Sequence, residues 1–263
     1  MQTLEWQSVG KGHHAIAPSA LFYDTAIQVP GLLEKCDILR ESAMVDVRAV
    51  DALLGDLFRL QRTLSGWIGG WEAATIATGR HLKMLRPISH FVHFCTHCPD
   101  RTLSRAYHFP SFHVGYMYSL YWMCMHALRT CVQQLASLRC KIDPDWPQRD
   151  RFAVSEDELL EYVMELCRCI PFFCEPLSGS IGHIAIFLPM RVAATYFGLR
   201  GQMMWLKWIG AVKATVFTQG LSPPIVGRRI FPPTMPTPPD SNAGGSPRPS
   251  GYVEASSSSS TSG

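Results

Sequence analysis

Charge is scarce in this chain, and the little present is nearly balanced. Charged residues make up 17% of the 263, with 24 Lys or Arg against 21 Asp or Glu, for a formal net charge of +3. A nucleic-acid groove draws its affinity from a concentrated basic field; here the cations are scattered, so direct DNA binding by this chain alone is not expected. Long uninterrupted apolar runs are missing as well. The two most apolar stretches, Phe112 to Leu128 and Ile181 to Phe197, are broken by His113 and His126 in the first and by His183, Pro189 and Arg191 in the second. A membrane helix needs about 20 consecutive apolar residues, so both read as buried core helices and no membrane association is expected. Strand-like alternation of useful length is also absent, which leaves an all-α, multi-helix fold.

Hydrolase and nucleotide signatures are missing too. There is no G-x-S-x-G, no H-E-x-x-H, no phosphate loop and no G-x-G-x-x-G, and Gly179-Ser180-Ile181-Gly182 sits in no strand-to-helix context and reads as a turn. An enzyme is therefore not expected. The nine cysteines are an odd number in a chain that opens without a secretory leader, so they read as reduced thiols of an intracellular protein.

What is present is helical periodicity. With 47% hydrophobic residues, the chain can bury a substantial core. Residues 1–29 show no sustained period, and Pro30-Gly31 marks the start of an ordered domain expected to span 30–220. Leu32, Leu33, Cys36 and Leu39 share one helical face. A second helix, roughly Asp46 to Trp71, carries Val50, Leu53, Leu54, Leu57, Phe58, Leu60, Leu64 and Trp67 on a broad apolar face, with Gly69-Gly70 weakening its last turn.

A loop is expected from His90 to Pro110, then the longest helix, about Ser111 to Arg139. Its stripe of Phe112, Tyr116, Leu120, Met123, Cys124, Ala127, Leu128, Cys131, Leu135 and Leu138 faces the core, while Arg129, Gln133, Gln134 and Arg139 face water. Ser155-Glu156-Asp157-Glu158 is a capping box opening a helix that Pro171 should end. Two further helices are expected, about Ile181 to Phe197, kinked or divided at Pro189, and about Gly201 to Phe217. From Leu221 the composition turns to Pro, Gly and Ser, and 221–263 is expected to be a disordered tail, lacking the apolar surface to offset ordering entropy.

Two groups of side chains could carry chemistry. His90, His93, Cys95, His97 and Cys98 place imidazole and thiolate, the ligands zinc prefers, within nine residues, and Cys95 and Cys98 have knuckle spacing; Cys36 or His108 would have to complete a site. Of these, His93, Cys95, His97 and Cys98 are the zinc candidates of an alternative reading, a small helical zinc protein or metalloenzyme. The competing reading is that Phe91, Phe94 and Cys95 line a core. The second group is rich in aromatics and Met. Tyr121, Trp122, Met125 and Trp205 are candidates for a groove taking a small effector or a partner helix, against the simpler reading of inter-helix packing.

Several strings occur in a meaningful order: Pro30-Gly31-Leu32-Leu33-Glu34; Tyr107-His108-Phe109-Pro110-Ser111-Phe112 leading into Ser119-Leu120-Tyr121-Trp122; Cys167-Arg168-Cys169-Ile170-Pro171; and Pro189-Met190-Arg191-Val192-Ala193. Together they resemble the regulatory, C-terminal domain of fungal zinc-cluster transcription factors, over roughly Pro30 to Phe217. That family's DNA-binding element uses six cysteines in two C-x2-C-x6-C-like halves to hold two zinc ions. This chain has one C-x2-C pair, Cys95 and Cys98, and no second half. The resemblance implies a non-catalytic, effector-sensing regulatory domain, nuclear or otherwise cytoplasmic, with partners in the transcription machinery or a paired transcription factor. It implies no cofactor within this chain; zinc would enter only with a cluster supplied upstream of it.

Overall fold

Helical periodicity dominates residues 18–42 and 44–217, which the computed structural model describes. The helices in chain order are α1 (Pro18–Ala26), α2 (Val29–Glu41), α3 (Val47–Ile76), α4 (Val92–His97), α5 (Phe112–Ile142), α6 (Glu156–Phe173), α7 (Gly179–Ala185), α8 (Phe187–Leu199) and α9 (Met203–Phe217). Two short strands, β1 (Met84–Pro87) and β2 (Arg105–His108), pair antiparallel with Met84 opposite His108 and Pro87 opposite Arg105. The fold is all-α apart from this ribbon. The first helix, α1, lies in the segment that shows no sustained period, and the 221–263 stretch lies outside the described residues.

Local chemistry starts the long helices. The Asp46 carboxylate accepts the Arg48 N–H at 2.9 Å and opens α3; the Ser111 hydroxyl accepts the Val114 N–H and opens α5. These side chains satisfy amides that have no intrahelical partner. The apolar face of α3 is buried as its spacing predicts, at Val50, Leu53, Leu54, Leu57, Leu60, Leu64 and Ile68. Gly69-Gly70 do not end it, because Trp71 beyond them packs on Trp67 and stacks on Tyr118 of α5, which holds the last turn in place.

The central element is α5, which packs against α2, α3, α6 and, less extensively, α1 and α8. A helix covered on several sides shifts its burial: of the expected stripe Leu128, Cys131 and Leu135 are buried and the rest half-buried, while Met117, Tyr118, Trp122, Met125, His126 and Val132 are buried outside it. Arg139, expected to face water, is buried; its guanidinium pairs with Asp51 and Asp143 and lies over the Trp146 ring. The capping box of α6 is half made. Ser155 accepts the Glu158 N–H at 3.1 Å, but the Glu158 carboxylate turns to α5 and takes the Arg129 guanidinium through both oxygens.

Three other expectations change. The helix carrying Pro171 continues to Phe173, with the Cys174 N–H returning to the carbonyls of Ile170 and Pro171. Pro189 lies in the first turn of α8, where a missing N–H removes no helical bond, and the division between α7 and α8 falls at Ile186. The His90 to Pro110 segment is not a plain loop: it holds the end of a 3-10 turn, α4 and β2. Elements of four to six residues are too short to display a period, and β2 is set by pairing with β1 and by packing on α6. Ile181–Leu199 is long and apolar enough to cross a membrane by composition; in this fold it supplies two helices, with Met190, Val192, Ala193, Tyr196 and Phe197 buried within the protein.

Candidate functional site

The zinc candidates sit on and just after α4, and the sheet side of the fold has already engaged them. Glu175, just past α6, caps α4: one carboxylate oxygen accepts the Phe94 N–H at 2.9 Å and the other the His93 N–H at 3.4 Å. Positions 93 and 97 are one turn apart, so their rings lie together, 4.3 Å between centroids. His93 Nδ1 bonds the Cys174 carbonyl and His97 Nδ1 the His93 carbonyl, both at 2.9 Å. Cys95, two residues on, points elsewhere and donates its thiol to the Ile88 carbonyl at 3.2 Å; Cys98 is fully buried. Of the completing ligands the sequence suggests, Cys36 meets Cys131 and His108 faces His90. Among the described residues, no group of three or more His, Cys, Asp or Glu is placed to hold a metal ion.

The four groove candidates fall in three settings. On α5, positions 121 and 125 lie one turn apart on one face, while 122 is turned about 100° from 121. Met125 is buried in the α2, α3 and α5 core and Tyr121 packs on that core, half-buried. Trp205 stacks on Phe197 at 5.4 Å and meets Trp208 edge-on, on the α8 and α9 side. Trp122 alone belongs to a functional-looking wall.

That wall is an aromatic column. Trp122 stacks on Tyr107 at 5.6 Å and packs on Tyr118 at 5.1 Å, and Tyr118 stacks on Phe109 and Trp71. Over it lies the Lys83 ammonium, 4.7 Å from the Tyr118 ring centre and 5.5 Å from that of Trp122. Glu72 closes the group, 2.9 Å from Lys83 Nζ and accepting the Tyr118 O–H at 2.5 Å. On the other flank the Tyr107 O–H donates to Glu165 at 2.7 Å, and Glu165 pairs with Arg168.

Electrostatics set the protonation of this wall. Burial, then the hydrogen bond to Glu72, pushes the Tyr118 phenol far up; burial and Glu165 do the same for Tyr107. Burial would raise the Glu72 carboxyl, but hydrogen bonds from Tyr118 and Lys83 outweigh it and hold the group below its usual value. Both phenols are thus fixed donors and the rings form a cation-accepting surface, already filled by the chain's own lysine. No sequence signal marks this group, because Glu72, Lys83, Tyr107, Tyr118 and Glu165 are widely separated in the chain and share no motif.

Several other reactive side chains are buried. Burial pushes up the thiols of Cys167, Cys169 and Cys174, which opposes thiolate formation. Cys131 donates to Cys36 across the α2–α5 contact; that bond lowers Cys36 and, with burial, raises Cys131. His126 is buried against Tyr196 with neither ring nitrogen hydrogen-bonded, and burial holds it neutral, down to about 4. No family model, curated protein or solved structure matches this chain.

Proposed function

We propose that this chain is a non-catalytic regulatory domain of the fungal zinc-cluster transcription-factor type, acting in the nucleus through protein contacts and effector sensing. DNA contacts come from a zinc cluster outside these residues or from a paired factor. The observation that carries the reading is where the family-like strings lie. Cys167-Arg168-Cys169-Ile170-Pro171 forms the C-terminal half of α6, and Pro189-Met190-Arg191-Val192-Ala193 the first half of α8, two helices that pack together. Cys167, Cys169, Ile170 and Pro171 on one side and Pro189, Met190, Val192 and Ala193 on the other are buried. Buried strings on two helices that pack together are constrained by one core, so their occurrence in order carries more weight than any one of them.

The side chains that a nucleophilic or acid–base centre would need support the non-catalytic part. The buried thiols are held protonated, the Tyr107 and Tyr118 phenols are committed to carboxylates, and His126 has no acid or nucleophile bonded to it. The test is tethering: the chain fused to an unrelated DNA-binding module at a reporter promoter. A change in reporter output of about fivefold or more in either direction, lost with a core-disrupting Ile170→Asp variant, is expected. Unchanged output from a folded, nuclear fusion overturns the proposal.

A further inference from the structure

The outer face of α3 carries cations that the fold does not neutralise. Residues 55, 58, 59, 62 and 63 recur at helical spacing and line an open groove of about 490 Å³, which Arg151 of the 3-10 turn Arg149–Phe152 also lines. Three guanidiniums, Arg59, Arg62 and Arg151, therefore border one groove from segments about ninety residues apart. Arg59 is paired with Asp56 at 2.7 Å. Among the described residues, neither Arg62 nor Arg151 has a carboxylate partner. A second pocket of about 440 Å³ shares Arg59 and Thr63 and adds Lys35 from α2, with Asp56 in the same lining.

The groove also has shape. The Arg151 guanidinium lies 5.0 Å from the centre of the Phe58 ring and 5.4 Å from that of Phe152, and Phe152 stacks nearly parallel on Trp146. Rings that flank a guanidinium hold its plane and leave its N–H fork to the open side. Gly55 adds no side chain, and a Cβ built there meets nothing within 4 Å, so the floor is space rather than packing. A volume of this size suits a small organic ligand, and paired guanidinium forks suit a phosphoryl group.

We propose that the groove between α3 and the Arg149–Phe152 turn binds a small phosphorylated molecule, its phosphoryl oxygens taken by Arg62 and Arg151 and its organic part lying beside Phe58. This site is separate from the Trp122 wall and does not rest on the transcriptional reading, although it would give an effector a place to act. The test is calorimetric titration of the full chain at low salt with phenyl phosphate, inorganic phosphate and a phosphoserine peptide. Phenyl phosphate is expected to bind one to one in the submillimolar range and about tenfold tighter than inorganic phosphate. Arg62→Gln and Arg151→Gln should each weaken it about tenfold or more, and Arg59→Gln less, because Asp56 already occupies that fork. Gly55→Leu fills the floor on an exposed helix face and should abolish binding while the protein stays folded. Binding that is absent, or unchanged in the Arg62→Gln, Arg151→Gln double variant, overturns the proposal. So does a phosphoserine peptide that binds tighter than phenyl phosphate, since it would make the occupant a partner chain.

Discussion

The α3–α5 interface and the junction of α4, β2, α6 and α7 share a buried core but differ in how much single polar bonds add to it. Across α3 and α5, stability comes from aliphatic side chains at helical spacing: Val50, Leu53, Leu54, Leu57, Leu60 and Leu64 against Met117, Met125, Leu128, Val132 and Leu135. Across the junction, buried rings such as Phe94, Phe109, Phe172 and Phe173 are joined by single polar bonds and tight backbone approaches: Glu175 capping α4, His93 on the Cys174 carbonyl and Ser178 on the Phe172 carbonyl. Packing is distributed over many contacts and degrades gradually. A polar bond or a backbone approach is specific to one atom and fails at once when that atom changes.

The largest effect expected on the apolar side is from Leu57→Ala, at a fully buried position. It should lower global stability by about 3 to 4 kcal/mol, by lost burial plus a residual cavity, with the urea midpoint reduced and the m-value unchanged. An equal loss from a junction variant, read by the same denaturation, would erase the distinction drawn here.

Acid should act at a third contact, between α5 and α8, where His126 is buried against Tyr196. His126 is held down to about 4 from an ordinary 6.5 by burial, with Arg200 lowering it further and Glu156 opposing. The unfolded chain takes up a proton below about 6.5 and the native histidine only near 4, so the unfolded state binds more protons across that window. Stability is therefore full above about 6.5 and falls as pH drops toward 4, by about 3 kcal/mol from this residue. A His126→Leu variant should lose that part of the slope; identical pH profiles for variant and parent would refute the assignment.

Glycines in the two regions should respond with opposite sign. At Gly182 in α7, a Cβ would lie 2.2 Å from the Phe173 carbonyl oxygen and 2.5 Å from Ser178 Cβ, so Gly182→Ala must move backbone and should cost about 2 kcal/mol. In α3, a Cβ at Gly66 meets nothing within 4 Å, and Gly66→Ala should stabilise by about 0.5 kcal/mol or more. Thermal melts of the pair give the sign directly.

The smallest loss is local. Glu175→Gln weakens two charge-assisted bonds to the α4 amides, worth about 1 kcal/mol. Hydrogen exchange should speed up at Phe94 and its neighbours on α4 and leave α3 and α5 unchanged. Uniform acceleration would mean that the junction and the helical core open together.

The same contrast explains what could be read from residue order. The α3 face, the Ser155 cap and the helices around Leu159 and Met203 follow from spacing and local composition, since helical periodicity and capping are local properties. Arg139 shows the limit: its exposure depends on how many neighbours α5 acquires, and Asp51 and Trp146 supply its partners from other segments. The zinc candidates show it again, since proximity in the chain put five candidate ligands together while α4 turned Cys95 away from His93 and His97. Tyr107, Glu165, Lys83 and Glu72 carry no spacing signal; the packing of β2 against α6 brings Glu165 to Tyr107, and tertiary packing brings Tyr107 to Trp122 and Glu72 and Lys83 to Tyr118.

The sequence by itself determined an all-α chain, where its longer helices begin and which face of α3 is buried, because those outcomes depend on residues within a turn or two of one another. Only the tertiary structure decided the β1–β2 ribbon, the capping of α4 by Glu175, the filling of the aromatic wall by Lys83 and the convergence of Arg62 with Arg151. Each of these joins segments whose encounter depends on how whole helices pack, and no local pattern encodes it.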